Sequence, residues 1–227
     1  SMLCALGASA ATIKVAYDAF KFAADQCDPW VGTPLHYACA YKANIEVVQF
    51  LIERKPSMMT KVNDLQRTPL HLACLFKTSM ATISLLIKKF PAVLTMTDRN
   101  GCTPLHLAAE NGASTGVVSA LIRADKSTCM ARTKSSLTPL HLACAGAAPR
   151  SVIKTLMDAE PQAITSVDEM GRTPLHIAAQ FCAPLSTIQM LVKASPDMVE
   201  EETHRGETPL QLAQKHKAPA NVIKFLS

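Results

Sequence analysis

Five histidines stand 35 residues apart, at His36, His71, His106, His141 and His176, and they are the first residues in this chain that could do chemistry. Imidazole binds zinc and exchanges protons near neutral pH. A shared zinc, however, needs several ligands within about 2–2.2 Å of one point. One histidine per repeating unit puts neighbours about a helix-to-helix distance apart, roughly 8–10 Å. The spacing therefore argues against a metal ladder and for a structural task repeated in each unit.

Eight cysteines form the second reactive set. Cys4, Cys39, Cys74 and Cys144 share one phase of the same period, where other copies carry Ala109 and Ala179, so cysteine there replaces a small buried alanine. Equivalent positions are again about 8–10 Å apart, too far for a disulfide. Cys27, Cys102, Cys129 and Cys182 occupy four other phases, and there is no Cys-x-x-Cys pair. Neither a metal nor a cofactor is expected, and free thiols point to a reducing intracellular compartment, the cytoplasm. A redox- or zinc-responsive module is the alternative use of these thiols. No Ser, Cys or Thr stands in a recognised nucleophile context and no Gly-rich phosphate loop occurs, so no enzyme is expected.

The elements that position these residues follow from the same period. Each of the five histidines is fourth in a Thr-Pro-Leu-His run, starting at Thr33, Thr68, Thr103, Thr138 and Thr173; a sixth run at Thr208 ends in Gln211. Every copy continues with an apolar or aromatic residue and then Ala, and no insertion disturbs the period. From about Met2 to Leu226 the chain thus resembles the ankyrin repeat family, whose mark is this run at a similar spacing. The resemblance implies an all-α, ankyrin-type helical solenoid with short projecting hairpin loops. It also implies that each motif histidine hydrogen-bonds its Thr-Pro turn to the adjacent loop. One repeat domain, 1–227, is expected: a partial repeat 1–27, full repeats at about 28–62, 63–97, 98–132, 133–167 and 168–202, and a C-terminal repeat 203–227.

Within a unit the residues predict two short helices. Thr103 is placed to cap the first helix and Pro104 to occupy its first turn, where a missing N–H costs nothing; the helix runs to about Asn111. Pro149, Pro184 and Pro219 are expected in the first turn of second helices. Val48/Leu51/Ile52, Ile83/Leu86/Ile87, Val118/Leu121/Ile122, Ile153/Leu156/Met157 and Ile188/Leu191/Val192 form one apolar helix face in each unit. Pro56, Pro91, Pro161 and Pro196 then stop the second helix, with Lys126 in that place in the third repeat. Gly101, Gly171 and Gly206 suit a positive-φ turn in the loops, whereas Val31, Gln66 and Ser136 replace them elsewhere. Valine is strained at positive φ, so the Trp30-Val31-Gly32 loop is expected to move its turn onto Gly32.

The ends differ. Ala11 to Phe20 aligns with Ala81 to Phe90, so the array opens within a repeat, led by the apolar Met2, Leu3 and Leu6. The polypeptide continues upstream, or this end packs on something, or it frays without meaning. Gln211, Gln214, Lys215, His216 and Lys217 give the last repeat the polar face of a cap.

Composition sets the remaining bounds. Hydrophobic residues reach 48% with only 5% aromatics, which suits thin layers of aliphatic side chains, and no apolar run is long enough for a membrane span. Fixed positions hold the repeats together, so the variable ones are free to recognise a partner. By the resemblance, that surface is the concave side of hairpin tips and first-helix ends: Trp30, Tyr41, Leu65, Arg67, Phe76, Lys77, Arg99, Asn100, Glu110, Lys134, Met170, Arg172, Phe181 and Arg205. Trp30, Tyr41, Leu65 and Phe76 would form one apolar patch, and Met170 and Phe181 a second. Trp30 serves either as an interface anchor or in local packing. The net charge of +5 favours an acidic peptide, while acidic residues interrupt the basic stripe that nucleic acid would need. The expectation is a monomeric, non-catalytic module that binds a protein or extended peptide. The alternative is an ankyrin segment of a larger protein that docks internally.

Overall fold

The computed structural model describes Ser9, Ala11, Thr12, Lys14 and residues 32–227 apart from 147. Apart from those first four residues, the expected partial repeat 1–27 lies outside the described residues, as do Trp30 and Val31 of the following loop and with them the anchor role of Trp30. The chain divides into two compact units, Ser1–Pro104 and Leu105–Ser227.

The first unit contains α1 (Pro34–Ala40), α2 (Ile45–Arg54), α3 (Pro69–Leu75) and α4 (Met80–Lys89). Helix α1 packs on α3 and α2 on α4, and each first helix also lies against its own second helix. The second unit contains α5 (Pro104–Glu110, whose first residue closes the first unit), α6 (Thr115–Ala124), α7 (Pro139–Ala145), α8 (Arg150–Ala159), α9 (Pro174–Gln180), α10 (Leu185–Ala194), α11 (Pro209–Lys215) and α12 (Ala220–Leu226). There α7, α9 and α11 form one row, and α6, α8, α10 and α12 the other. This is the all-α, ankyrin-type helical solenoid expected from the repeats.

The Thr-Pro start works as the residues predict. Thr68 is extended (φ −79°, ψ 166°), accepts from the His71 amide, and is followed by proline at the first helical position. Second helices begin in two ways. Asn44, Ser79 and Ser114 cap α2, α4 and α6 through side-chain oxygens. Pro149, Pro184 and Pro219 stand at the cap position, one residue before the first turn expected for them. Their ψ of 140°, 143° and 141° is extended, as a cap requires, and proline's fixed φ costs nothing there.

Helices α2, α4, α8 and α10 end before the expected prolines, but the chain then enters a 3₁₀ turn rather than an open exit. These turns span Pro56–Met59, Pro91–Leu94, Pro161–Ile164 and Pro196–Val199. The first two bury Met58 and Met59, and Val93 and Leu94. In the third repeat, which lacks the proline, the Asp125 carboxylate accepts from the Ser127 amide at 3.0 Å and caps the turn Lys126–Met130. The apolar stripes are buried, except that Ile87 and Val192 remain half-exposed. Gln211, Gln214, Lys215, His216 and Lys217 are exposed, as a terminal cap needs.

In the loops, Gly101, Gly171 and Gly206 have φ of 80°, 75° and 71°, and Gln66 and Ser136 take the same left-handed place at 58° and 60°. Consecutive tips are tied through the backbone: Arg99 N–H donates to the Leu65 carbonyl at 2.8 Å, and His204 N–H to that of Met170 at 3.0 Å. Gly32 has the positive φ expected of it, 105°, and a Cβ there would lie 2.8 Å from Nδ1 of His36.

Candidate protein-binding face

The motif histidines are fully buried. In the first unit, Nδ1 of His36 accepts from the Thr33 amide at 3.0 Å while Nε2 faces the Arg67 carbonyl at 2.9 Å. His71 repeats this between Thr68 and Cys102, and in the second unit His141 does so between Thr138 and Arg172. His106 and His176 reach the carbonyls of Leu137 and Glu201. A nitrogen facing a carbonyl must carry the proton and one facing an amide N–H must not, so His36, His71, His141 and His176 are neutral and both their nitrogens are spent on structure. Burial pushes His36, His71 and His141 down to about 4. The thiols are equally quiet. Burial raises Cys74 and Cys144 to about 12, and burial with the nearby Glu160 raises Cys129 to about 11. No cluster of metal-ligating side chains occurs among the described residues.

The exposed apolar residues gather elsewhere. In the first unit, Tyr41, Leu65 and Phe76 are 54%, 43% and 44% exposed. Together with Ala40, Asn63, Arg67, Leu72 and Leu75 they line a groove of about 280 Å³. Tyr41 stacks on Tyr37 with ring centroids 6.0 Å apart. Arg67 is held from behind, its Nε donating to a buried Asp98 oxygen at 3.1 Å. Lys42 and Lys77, exposed beside the two aromatic residues, adopt φ of 54°. Arg99 reaches over the preceding tip, Nη2 donating to the Asp64 carbonyl at 2.7 Å, and Asn100 is exposed next to it.

The second unit repeats the groove with different walls. Glu110, Leu137, His141, Leu142, Ala145, Gly146, Arg172, Ile177 and Phe181 enclose about 270 Å³. Arg172 donates through Nε to an Asp168 oxygen at 2.8 Å and through Nη1 to Gln180 at 2.8 Å. Burial works to raise the Asp168 carboxyl, but hydrogen bonds from the Arg172 side chain and from the Arg172 and Met170 amides outweigh it, leaving the group below its ordinary range. Phe181 is in this groove; Met170 lies at a hairpin tip and is not among the lining residues. Lys134 and Arg205 are exposed on the other tips.

The sequence reasoning omitted Leu72, Leu75, Asn63, Ile177 and Gly146 as lining residues. It also missed a groove of about 340 Å³ beside the end of α2, lined by Ile52, Pro56, Met59, Lys89 and Phe90 among others. A signal for it existed, since Phe90 occupies a position filled by Lys55, Asp125, Glu160 and Ser195 in the other full repeats and by Phe20 in the partial one. No helix among the described residues is long and apolar enough to cross a membrane.

Comparison with known proteins agrees with this architecture. The family model described as ankyrin repeats (3 copies) matches residues 2–93, 35–133, 77–165 and 113–199. No curated protein sequence matches the chain. Among solved structures, a chain from the complex of the Bd0816 predatory endopeptidase of Bdellovibrio bacteriovorus with the immunity protein Bd3460 superposes with a TM-score of 0.70. The two are 21% identical over 85% of this chain and 95% of that one. Two expectations are corrected by this match: that the chain is not an enzyme, and that it is solely a non-catalytic interaction module or an internal docking segment. A similar chain sits in a complex named for an endopeptidase, so the exclusion of catalysis is withdrawn. At this identity the likeness shows the fold alone, and neither the peptidase role nor the immunity role passes to this chain.

Proposed function

The chain belongs to the ankyrin repeat family, and from that premise we propose that it recognises an extended segment of a partner protein along its hairpin tips and first-helix ends, with 1–227 serving as one recognition domain. The observation that carries the reading is the groove in the first unit, where three large exposed apolar side chains, Tyr41, Leu65 and Phe76, converge instead of being scattered. Isolated exposed apolar residues need no explanation, but a contiguous rimmed patch marks an interaction surface. Aromatic and arginine side chains are the usual energetic anchors of such surfaces.

Charge gives the segment a sign. Lys42 and Lys77 are exposed next in sequence to Tyr41 and Phe76, and Arg99 is exposed across the tip that carries Asp64 and Leu65, so an acidic segment carrying apolar side chains fits best. The lysines add a second argument. Gly112 occupies the equivalent left-handed position in the next repeat at φ 61°, and a lysine there is costlier for the backbone. Cys182 and Lys217 hold the same position at φ 55° and 57°, so a side chain is tolerated there, and at Lys42 and Lys77 it places a charge beside the aromatic residues. The similar fold's occurrence in a complex of two proteins supports a protein partner in general terms. Free buried thiols support a reducing compartment.

Selection from a displayed library of random peptides tests the reading without a known ligand. The native chain should enrich acidic peptides with aromatic or branched apolar residues, and a folded Tyr41→Ala/Phe76→Ala variant should lose them. Enrichment of the same peptides by both would place recognition elsewhere.

A further inference from the structure

The groove of the second unit shares four repeat positions with that of the first, those of Leu75, Phe76, Arg67 and Leu72, and its chemistry changes at the first two. Ala40 and Leu75, which line the first groove, correspond to Glu110 in the second. A carboxylate thus stands where the other groove has only carbon. The position that carries Tyr41, Phe76, Asn111, Phe181 and His216 is Gly146. A Cβ on Gly146 would lie 2.0 Å from the Glu110 carbonyl oxygen, so the backbone closes there and no side chain rises between Glu110 and Phe181.

The charges in this groove do not cancel. Arg172 is neutralised by Asp168, with Nη2 at 2.7 Å, and His141 is neutral because burial holds it at about 4. Glu110 is exposed and forms no ion pair among the described residues. Phe181 is 53% exposed on the opposite flank. A negative charge and an exposed aromatic ring in one recess of about 270 Å³ are the two elements that hold a planar cation.

We propose that the groove formed by Glu110, Gly146 and Phe181 is a separate binding site for an arginine side chain of a partner protein. The guanidinium stacks on the Phe181 ring and donates its paired N–H groups to the Glu110 carboxylate. Gly146 carries no side chain, so nothing at that position stands between the carboxylate and the ring. This site stands independently of the acidic-segment groove in the first unit, and either can fail without the other.

The probe is N-acetyl-arginine amide, followed through the Gly146 amide and Phe181 ring signals by NMR, with N-acetyl-citrulline amide as the uncharged isostere. Saturable shifts with the arginine probe, at least about tenfold weaker with citrulline, are expected. Glu110→Gln and Phe181→Leu should each weaken the arginine probe by about fivefold or more, with unchanged melting temperatures. Equal response to both probes on the native chain, which needs no variant, would overturn the proposal. So would the absence of a saturable shift, or full binding by folded Glu110→Gln.

Discussion

Nε of Arg67 donates to Oδ2 of Asp98 at 3.1 Å, so a residue on the wall of the first groove is fastened to the start of the next hairpin loop. The other Asp98 oxygen accepts from the amides of Asn100 at 2.9 Å and Cys102 at 3.0 Å. One buried carboxylate therefore shapes a loop and fixes a binding-face arginine.

Asp98→Ala removes all three acceptor interactions and should cost about 2–4 kcal/mol of stability. Asp98→Asn should cost about half as much or less, because an amide oxygen can serve the loop as Asn63 does for the amides of Leu65 and Arg67. Urea-unfolding midpoints of the two variants test this ranking.

Acid should loosen the repeats through the histidines. His36, His71 and His141 are held at about 4 by burial, below the 6.5 of an exposed ring. The unfolded chain therefore takes up protons first as pH falls. The stabilisation is complete above about 6.5 and is lost between 6.5 and 4, by about 3 kcal/mol per histidine at most. Unfolding midpoints at neutral pH and at pH near 5 should differ accordingly. His71→Gln, copying the Gln211 that caps Thr208 at 2.9 Å, should flatten that dependence; an unchanged slope would refute the assignment.

The sequence made legible whatever is local or repeated. Thr68, Pro69 and His71 specify a cap, a first turn and a ring position by short-range sterics and hydrogen bonding, so the period alone yields the architecture. Tyr41 and Phe76 share a phase, and their convergence with Leu65 follows from it. Features that depend on distant contacts were not legible. A proline announces that a helix stops but not that a 3₁₀ turn will bury Met58 and Met59. Arg67 reads as a free surface cation until Asp98, 31 residues on, is placed beside it. The absence of a known nucleophile motif said too much: fold-level likeness to a chain in an endopeptidase complex removed the exclusion built on it.

Glycine substitutions separate close packing from open space. Gly146→Ala drives a Cβ to 2.0 Å from the Glu110 carbonyl and should destabilise by about 2–3 kcal/mol. Gly116, in α6, has only the Ser114 hydroxyl at 3.9 Å, so Gly116→Ala should stabilise by about 0.5 kcal/mol. Thermal unfolding of both variants gives opposite signs if this packing is right.

At Lys77, stability and recognition should part. Lys77→Gly relieves the left-handed φ of 54° and should gain about 0.5 kcal/mol after glycine's larger unfolded-state entropy is subtracted. The same variant should bind selected acidic peptides more weakly, with a smaller dependence on salt. Calorimetric unfolding and titration on one preparation would read both effects.

The claim that the Tyr41–Leu65–Phe76 groove is the recognition surface is tested most directly by photocrosslinking. A benzophenone amino acid placed at Phe76, and separately at Phe90 beside the other exposed groove, is irradiated in lysate with the chain folded. A discrete protein adduct from position 76, competed by selected acidic peptides and absent from position 90, is the predicted result. Adducts from position 90 alone would contradict the account and move recognition to the second-helix side.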